Sequence, residues 1–130
     1  MSGAFEGLES GRVIPLGVTA VDARALAAFA EAFGAAPAGE TGAPDAMVFA
    51  LWSKLDAEAA AARPAGKRVG VDAVRFVRSP PAGELLRGRM TVMAVDPVGE
   101  GRALVIAQHD LLDEAGRLVF SCLTRSIVGR

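Results

Sequence analysis

The sequence has few of the residues that most often carry out chemistry or hold metal ions. Its 130 residues include one cysteine and one histidine. A single cysteine cannot form an internal disulfide, which favours a reducing, cytoplasmic location. One histidine makes a zinc site improbable, and no glycine-rich phosphate-binding motif occurs. We therefore expect neither a metal nor an organic cofactor.

Long apolar runs and a strong charge of one sign are also absent. The longest apolar run, residues 46–52, is far too short to cross a bilayer, and the first residues do not resemble a signal peptide. The net charge of −1 gives no reason to expect nucleic acid or a membrane as partner. With 52% hydrophobic residues, the chain is expected to fold as one domain, residues 1–130, with 1–11 as a loose arm.

The first third of the chain predicts a strand followed by a helix. Residues 12–18 are predicted to form a short strand, and Pro15 indicates that it is an edge strand or an irregular piece. A helix start signal runs from Thr19 to Asp22, apolar residues follow at helical spacing, and Gly34 is suited to end the helix.

A second helix is predicted after the breaker-rich loop at 34–44. Pro44 and Asp45 suit its first turn. Residues 46–52 are apolar on every side of this helix, which predicts that it is buried on all sides.

The remainder of the sequence predicts four strands. Alternating apolar and polar residues occur at 67–78 and 84–95, and residues 102–112 and 117–128 are predicted to form a hairpin around the turn at 113–116. The turns between them are short, so neighbouring strands pair antiparallel. Helices segregated from a run of strands indicate an α+β fold, in which a curled antiparallel sheet wraps around the central apolar helix.

Three segments carry a resemblance to a known family. They are TAVDARALAAFAEAFG at 19–34, PDAM followed by VFALWSKL at 44–55, and VRFVRSP with AGELL at 74–86. Their residue types and spacings resemble the MaoC-like hydratase/dehydratase branch of the hot-dog fold. The resemblance implies an acyl-thioester ligand, carried by CoA or a carrier protein, and a homodimer or a heterodimer with another hot-dog subunit.

The family's catalytic residues are missing at the matching positions. MaoC-like hydratases hold water with an Asp and a His in the loop after the first helix, and polarise the thioester carbonyl with a glycine amide at the start of the central helix. The loop at 34–44 contains neither Asp nor His, and the helix start carries Asp45 and Ala46. We therefore expect acyl-thioester binding without standard hydratase activity, with the Ala46 amide in the place of the glycine amide.

The catalytic candidates for an active enzyme are Asp45 and His109. Either is the base of an alternative hot-dog thioesterase or unconventional dehydratase, whereas the simpler interpretations are a first-turn helix residue and a partly exposed strand residue. Glu40 and Thr41 are weaker candidates. A cone-shaped, NTF2-like pocket protein is a further alternative outside the hot-dog fold.

The binding candidates lie on the central helix and the strand that follows. The acyl pocket is predicted to be lined by Ala46, Met47, Phe49 and Trp52. Arg75 and Arg78 are candidates for CoA phosphate, because arginine suits phosphate oxygens, although a solvated face that also includes Arg87 and Arg89 is the simpler interpretation. Cys122 is interpreted as a packing residue and Glu58 as a solvated one.

Overall fold

Five strands and two helices make up the part of the chain that the computed structural model describes, residues 8–34, 42–63 and 66–129. The elements are β1 (Val13–Ala20), α1 (Ala23–Phe33), α2 (Asp45–Ala60), β2 (Gly66–Phe76), β3 (Leu85–Gly99), β4 (Arg102–Leu112) and β5 (Leu118–Gly129).

The strands form one antiparallel sheet in the order β1-β3-β4-β5-β2. The predicted α+β arrangement is therefore confirmed, and β1 and β2 are the edge strands. β3 is longer than predicted, because it continues past the predicted end at 95 as far as Gly99. Within the described residues, neither helix has the length and apolar character needed to cross a membrane.

The first helix ends where the sequence predicts but begins later. The side chain of Asp22 accepts a hydrogen bond from the Ala25 amide at 2.9 Å and so caps the helix. Thr19 belongs to β1, so its predicted role at the helix start is wrong. Gly34 terminates the helix with φ +65°, a backbone angle that glycine adopts without strain.

The inner face of the sheet supplies much of the core. Alternate residues of β4 are buried, as expected for a strand with one face covered: Ala103, Val105, Ala107, His109 and Leu111. Buried side chains of the neighbouring strands extend this surface: Leu86, Met90 and Val92 from β3, and Phe120, Cys122 and Thr124 from β5. Helix α2 lies against this face.

Helix α2 is buried on one side only. Its buried residues are Met47, Val48, Trp52, Leu55 and Asp56. Ala46 and Ala50, on the apolar segment, are exposed. The prediction that this segment is buried on all sides is therefore wrong for the single chain, because the sheet covers only one side of the helix.

The segment before β1 is docked rather than loose where the structure describes it. Leu8 is buried, the Gly11 amide donates to the Val92 carbonyl at 2.7 Å, and the Ser10 hydroxyl donates to the Met93 carbonyl at 2.9 Å. The predicted arm is therefore wrong for residues 8–11, since these bonds and the apolar contact of Leu8 hold them to β3. Residues 1–7 of the predicted arm lie outside the described residues.

The entry to α2 is fixed to the turn between β2 and β3. The Ala43 amide donates to the Pro80 carbonyl at 2.8 Å. Gly42, just before it, has φ +78°, and a Cβ there would lie 2.7 Å from the Ser79 carbonyl oxygen and 2.8 Å from that of Pro80. Only glycine lets the two backbones approach this closely.

We predict that Gly42→Ala destabilises the protein more than Gly116→Ala. Both glycines have positive φ, near +80°, but a Cβ at Gly116 meets no atom within 4 Å. The control therefore carries only the backbone strain, about 1–2 kcal/mol, and Gly42→Ala adds the overlap with two carbonyls. Urea unfolding of both variants measures the difference. Equal losses of unfolding free energy would show that the close approach is unimportant.

Candidate functional site

The N-terminus of α2 is open. Its first residue follows Pro44, which provides no side-chain cap, and the amides of Met47 and Val48 both donate to the Pro44 carbonyl, at 2.9 and 3.1 Å. Among the described residues, nothing accepts a hydrogen bond from the amides of Asp45 or Ala46. These donors lie at the positive end of the helix dipole, where they favour a partly negative oxygen.

The four predicted pocket residues of α2 divide into two pairs. Ala46 is exposed and Phe49 is half-buried, whereas Met47 and Trp52 are buried against the sheet. Phe49 stacks edge-on against Trp52, with ring centroids 5.3 Å apart. Only Ala46 and Phe49 therefore reach the surface beside the open amides. The side chain of Asp45 is exposed at the same end.

His109 lies in the core, not at the surface. Its side chain is 1% exposed, its Nδ1 accepts a hydrogen bond from Trp52 Nε1 at 3.1 Å, and its Nε2 lies 2.9 Å from Thr124 Oγ1. Because Nδ1 accepts, the ring proton is on Nε2, which donates to Thr124. The interpretation as a partly exposed residue is wrong, because His109 shares its parity with the buried residues of β4.

The environment of His109 does not suit a general base. Burial lowers its pKa to about 4, against an ordinary value of 6.5. The ring is therefore neutral at pH 7, and both of its nitrogens are engaged in hydrogen bonds. A base that works near neutral pH needs a pKa close to that pH and a free nitrogen.

A second polar cluster lies beside this histidine, formed by Asp56, Arg63 and Arg68. Asp56 Oδ1 accepts from Arg63 Nη2 at 2.9 Å, and Oδ2 accepts from Arg68 Nη2 at 2.7 Å. Burial acts to raise the pKa of Asp56, but the neighbouring Arg63 and the hydrogen bonds from both arginines lower it overall. The Arg68 guanidinium also lies over the Trp52 ring, 4.7 Å from its centroid.

His109 with Thr124, and the cluster of Asp56, Arg63 and Arg68, line one cavity of about 250 Å³ between the C-terminal half of α2 and the sheet. Its polar lining is Asp56, Arg63, Arg68, His109, Thr124 and Ser126, and its apolar lining includes Leu8, Met90, Val105, Ala107 and Val128. This cavity was not predicted from the sequence. Two signals point to parts of it: Asp56 follows Trp52 by one helical turn, and His109 and Thr124 share their strand parity with apolar residues such as Leu111 and Phe120.

The arginines proposed for phosphate differ in their availability. Arg78 is ion-paired with Glu84 and with Asp113, the latter at 2.7 Å, and these bonds raise its pKa. Arg75, on β2, is exposed. Arg87 is exposed too, whereas Arg89 pairs with Asp110 at 3.1 Å.

Asp113 organises the loop between β4 and β5. Its carboxylate accepts from the amides of Ala115 and Arg117, at 2.9 and 2.8 Å, and also from the side chains of Arg117 and Arg78. The Arg117 amide is the strongest of the influences that lower its pKa to about 2. This carboxylate is therefore charged at neutral pH. Through Arg78 it joins the loop between β4 and β5 to the turn between β2 and β3.

The remaining candidates are placed as follows. Burial raises the pKa of Cys122 to about 12, so it is a protonated thiol in the core. Glu58 is exposed. Glu40 and Thr41 lie outside the described residues. Within those residues, no group of three or more His, Cys, Asp or Glu side chains is arranged to hold a metal ion.

No protein-family model and no curated protein matches the sequence. Solved structures do match. A MaoC-like dehydratase from Rhodospirillum rubrum is 22% identical with a TM-score of 0.79, over 96% of this chain and 95% of that one. The HadBC (3R-hydroxyacyl-ACP dehydratase) complex of Mycobacterium tuberculosis is 19% identical with a TM-score of 0.68, over 91% and 96% of the respective chains.

A third match names the fold. It is a Mycobacterium tuberculosis protein described as having a double hot-dog fold, 18% identical with a TM-score of 0.74, over 96% of this chain and 43% of that one. The chain has a hot-dog fold. The hot-dog prediction is thus confirmed, and the NTF2-like alternative is excluded. The structural likeness to a MaoC-like dehydratase agrees with the resemblance read from the sequence.

We predict that protonation of His109 destabilises the protein. The unfolded chain binds this proton near pH 6.5 and the folded chain only near pH 4. The histidine's contribution is therefore complete above pH 6.5, and it is lost as the pH falls towards 4, by on the order of 3 kcal/mol. Urea unfolding across this range measures the loss.

His109→Gln is the control for this pH dependence. It is expected to lower stability at pH 7, because Trp52 loses its acceptor, but also to flatten the slope between pH 6.5 and 4. The chain has one histidine, so its proton NMR titration is read without assignment. A midpoint near 6.5 in the folded protein would contradict the buried, neutral ring.

Proposed function

We propose that this chain binds an acyl thioester at the N-terminus of α2 and that it lacks the standard hydratase reaction of MaoC-like proteins. The fold supports the ligand class, since the similar structures include a MaoC-like dehydratase and a hydroxyacyl-ACP dehydratase complex. One observation supports this location for the binding site: the start of α2 has no side-chain cap.

The open amides give this place a chemical role. Ala46 is exposed at the positive end of α2, and its N–H has no acceptor among the described residues. A thioester carbonyl oxygen that accepts from this N–H is polarised. Ala46 and Phe49 offer apolar surface beside the amide. Arg75 is the exposed member of the two arginines suggested for CoA phosphate, and we assign that contact to it, because the guanidinium of Arg78 is paired with two carboxylates.

The proposed loss of hydration rests on the catalytic residues that the sequence lacks. The sequence from 34 to 44 contains no Asp or His to hold the water molecule. His109, the chain's one histidine, is buried with both ring nitrogens engaged. A polarised carbonyl without a base favours binding over water addition.

A thioesterase is the second candidate function. It is favoured by one observation: the exposed carboxylate of Asp45 is adjacent in the chain to the open Ala46 amide. A carboxylate in that position can activate water for attack on a polarised thioester. The unconventional dehydratase with His109 as base gains no such support.

We further propose that the chain works as a dimer in the cytoplasm, with a second copy or with another hot-dog subunit. The uncovered side of α2 exposes Ala46 and Ala50, and the neighbouring edge strand β2 exposes Val69, Val74 and Phe76. Apolar surface on a central helix and a free strand edge both favour a partner. The HadBC structure is a complex, and the double hot-dog protein carries two such folds in one chain.

We predict that Ala46→Pro weakens acyl-thioester binding about tenfold, because it removes one amide donor while proline is tolerated in a first helical turn. Ala23→Pro, at the first position of α1, is the matched control, since it leaves both open amides of α2 in place. Calorimetry with butyryl-CoA and crotonyl-CoA measures both variants, and circular dichroism confirms that they remain helical.

Incubating the protein with the same two thioesters tests whether it catalyses a reaction. Crotonyl-CoA is expected to keep its enoyl absorbance, and robust hydration would contradict the proposed loss of activity. Release of free CoA thiol that Asp45→Asn abolishes would establish the thioesterase instead. If neither ester binds, the proposed ligand class is wrong.

We predict that Ala50→Glu converts a dimer into a monomer. A glutamate on the uncovered side of α2 places a charge in the apolar contact, and an unpaired charge in an interface is strongly unfavourable. Ala27→Glu, at an exposed alanine of α1, is the matched control. Light scattering at micromolar concentration measures the mass of each. A monomeric wild-type protein, alone and with any hot-dog subunit, would contradict the dimer.

A further inference from the structure

We infer that the cavity beside His109 is a second binding site, which takes a small carboxylate with a short apolar body. The cavity has a volume of about 250 Å³ and lies against the C-terminal half of α2. Asp56 is eleven positions along the helix from Asp45, which is roughly 17 Å at the rise of an α-helix. The site is therefore separate from the open end of α2, and it does not depend on the proposed thioester function.

The polar lining of the cavity has unpaired hydrogen-bond donors, whereas its one carboxylate, Asp56, is already paired. Both carboxylate oxygens of Asp56 are bonded to arginines. Arg68 donates to Asp56 through Nη2. Its Nε and Nη1 meet no acceptor within the described part of the chain. The Thr124 oxygen accepts from His109, which leaves the hydroxyl proton of Thr124 available.

The net charge of the lining also favours an anionic ligand. Two arginines and one aspartate leave one positive charge, because burial keeps His109 neutral at pH 7. A partly enclosed positive charge with spare donors favours an anionic oxygen ligand, and guanidinium binds carboxylate with two parallel hydrogen bonds. The ligand's head group is therefore expected beside Arg68 and Thr124.

The rest of the wall determines the body of the ligand. Met90, Val105, Ala107 and Val128 present apolar surface to the cavity. Inorganic phosphate would leave this surface against water, whereas a short hydrocarbon chain covers it. The volume is below the roughly 300–1,000 Å³ of sites for drug-sized ligands, which favours a short-chain acid.

The protein contains its own reporter for this site. Trp52 is the one tryptophan of the chain, it donates to His109, and it lies under Arg68. A carboxylate that draws the Arg68 guanidinium towards itself changes the surroundings of the indole. Intrinsic fluorescence therefore reports on the cavity.

The test is a fluorescence titration of the full chain at pH 7 with hexanoate and with hexanamide, which has the same shape without the charge. We expect a saturable change with hexanoate and affinity at least about tenfold weaker for hexanamide, because the charge-assisted bond is lost. Calorimetry repeats both titrations independently of the tryptophan. Equal affinities, or no saturable binding of acids from acetate to octanoate at millimolar concentration, would overturn the inference.

Variants locate the binding within the molecule. Arg68→Met is expected to weaken hexanoate binding at least about tenfold, and Arg87→Met, at an exposed position of β3, to leave it unchanged. Because Arg68→Met also disturbs Asp56, Ala60→Leu provides a second variant: residue 60 is exposed on α2 and lines the cavity, so leucine fills the space without changing charge. Hexanoate binding that survives Ala60→Leu, or that is lost in Ala46→Pro, would place the ligand elsewhere.

Discussion

The hydrogen bond between Trp52 and His109 joins the central helix to the sheet across the core. An indole N–H and an imidazole are both costly to bury alone, and each satisfies the other here. Thr124 completes the arrangement on the neighbouring strand. This polar contact fixes the rotation of α2, because a small turn of the helix would leave two buried donors or acceptors unpaired. Which residues of α2 face the sheet, and which remain uncovered, depends on it.

The rotation of α2 gives its two ends different properties. At the N-terminus the uncovered side carries small apolar residues, which suit a partner protein. The first amides there, which meet no acceptor in residues 8–34, 42–63 and 66–129, suit a carbonyl oxygen. At the C-terminal half the covered side carries Asp56, whose two arginines form one wall of a cavity. One helix thus separates an apolar, outward-facing surface from a charged, enclosed one.

The elements were largely predictable from the sequence, because local periodicity determines them. Alternation predicted β2 and β3, the turn at 113–116 predicted the hairpin of β4 and β5, and β4 was predicted with its observed bounds. The cavity was not predictable in the same way, since it requires α2 to pack against β4 and β5, whose register places His109 opposite Cys122 and two residue pairs from Thr124. The burial of His109 was within reach, because it shares its parity with Ala107 and Leu111. The uncovered side of α2 could not be predicted, since an apolar helix surface can be covered either by the sheet or by another subunit.

The backbone bond between Ala43 and Pro80 has a consequence for how this chain can diverge. The position of the Ala46 amide is set by the turn between β2 and β3, which Arg78 ties in turn to Glu84 and Asp113. A change in the turn between β2 and β3 is therefore transmitted to the start of α2. This turn limits how far the sequence can diverge without moving the Ala46 amide.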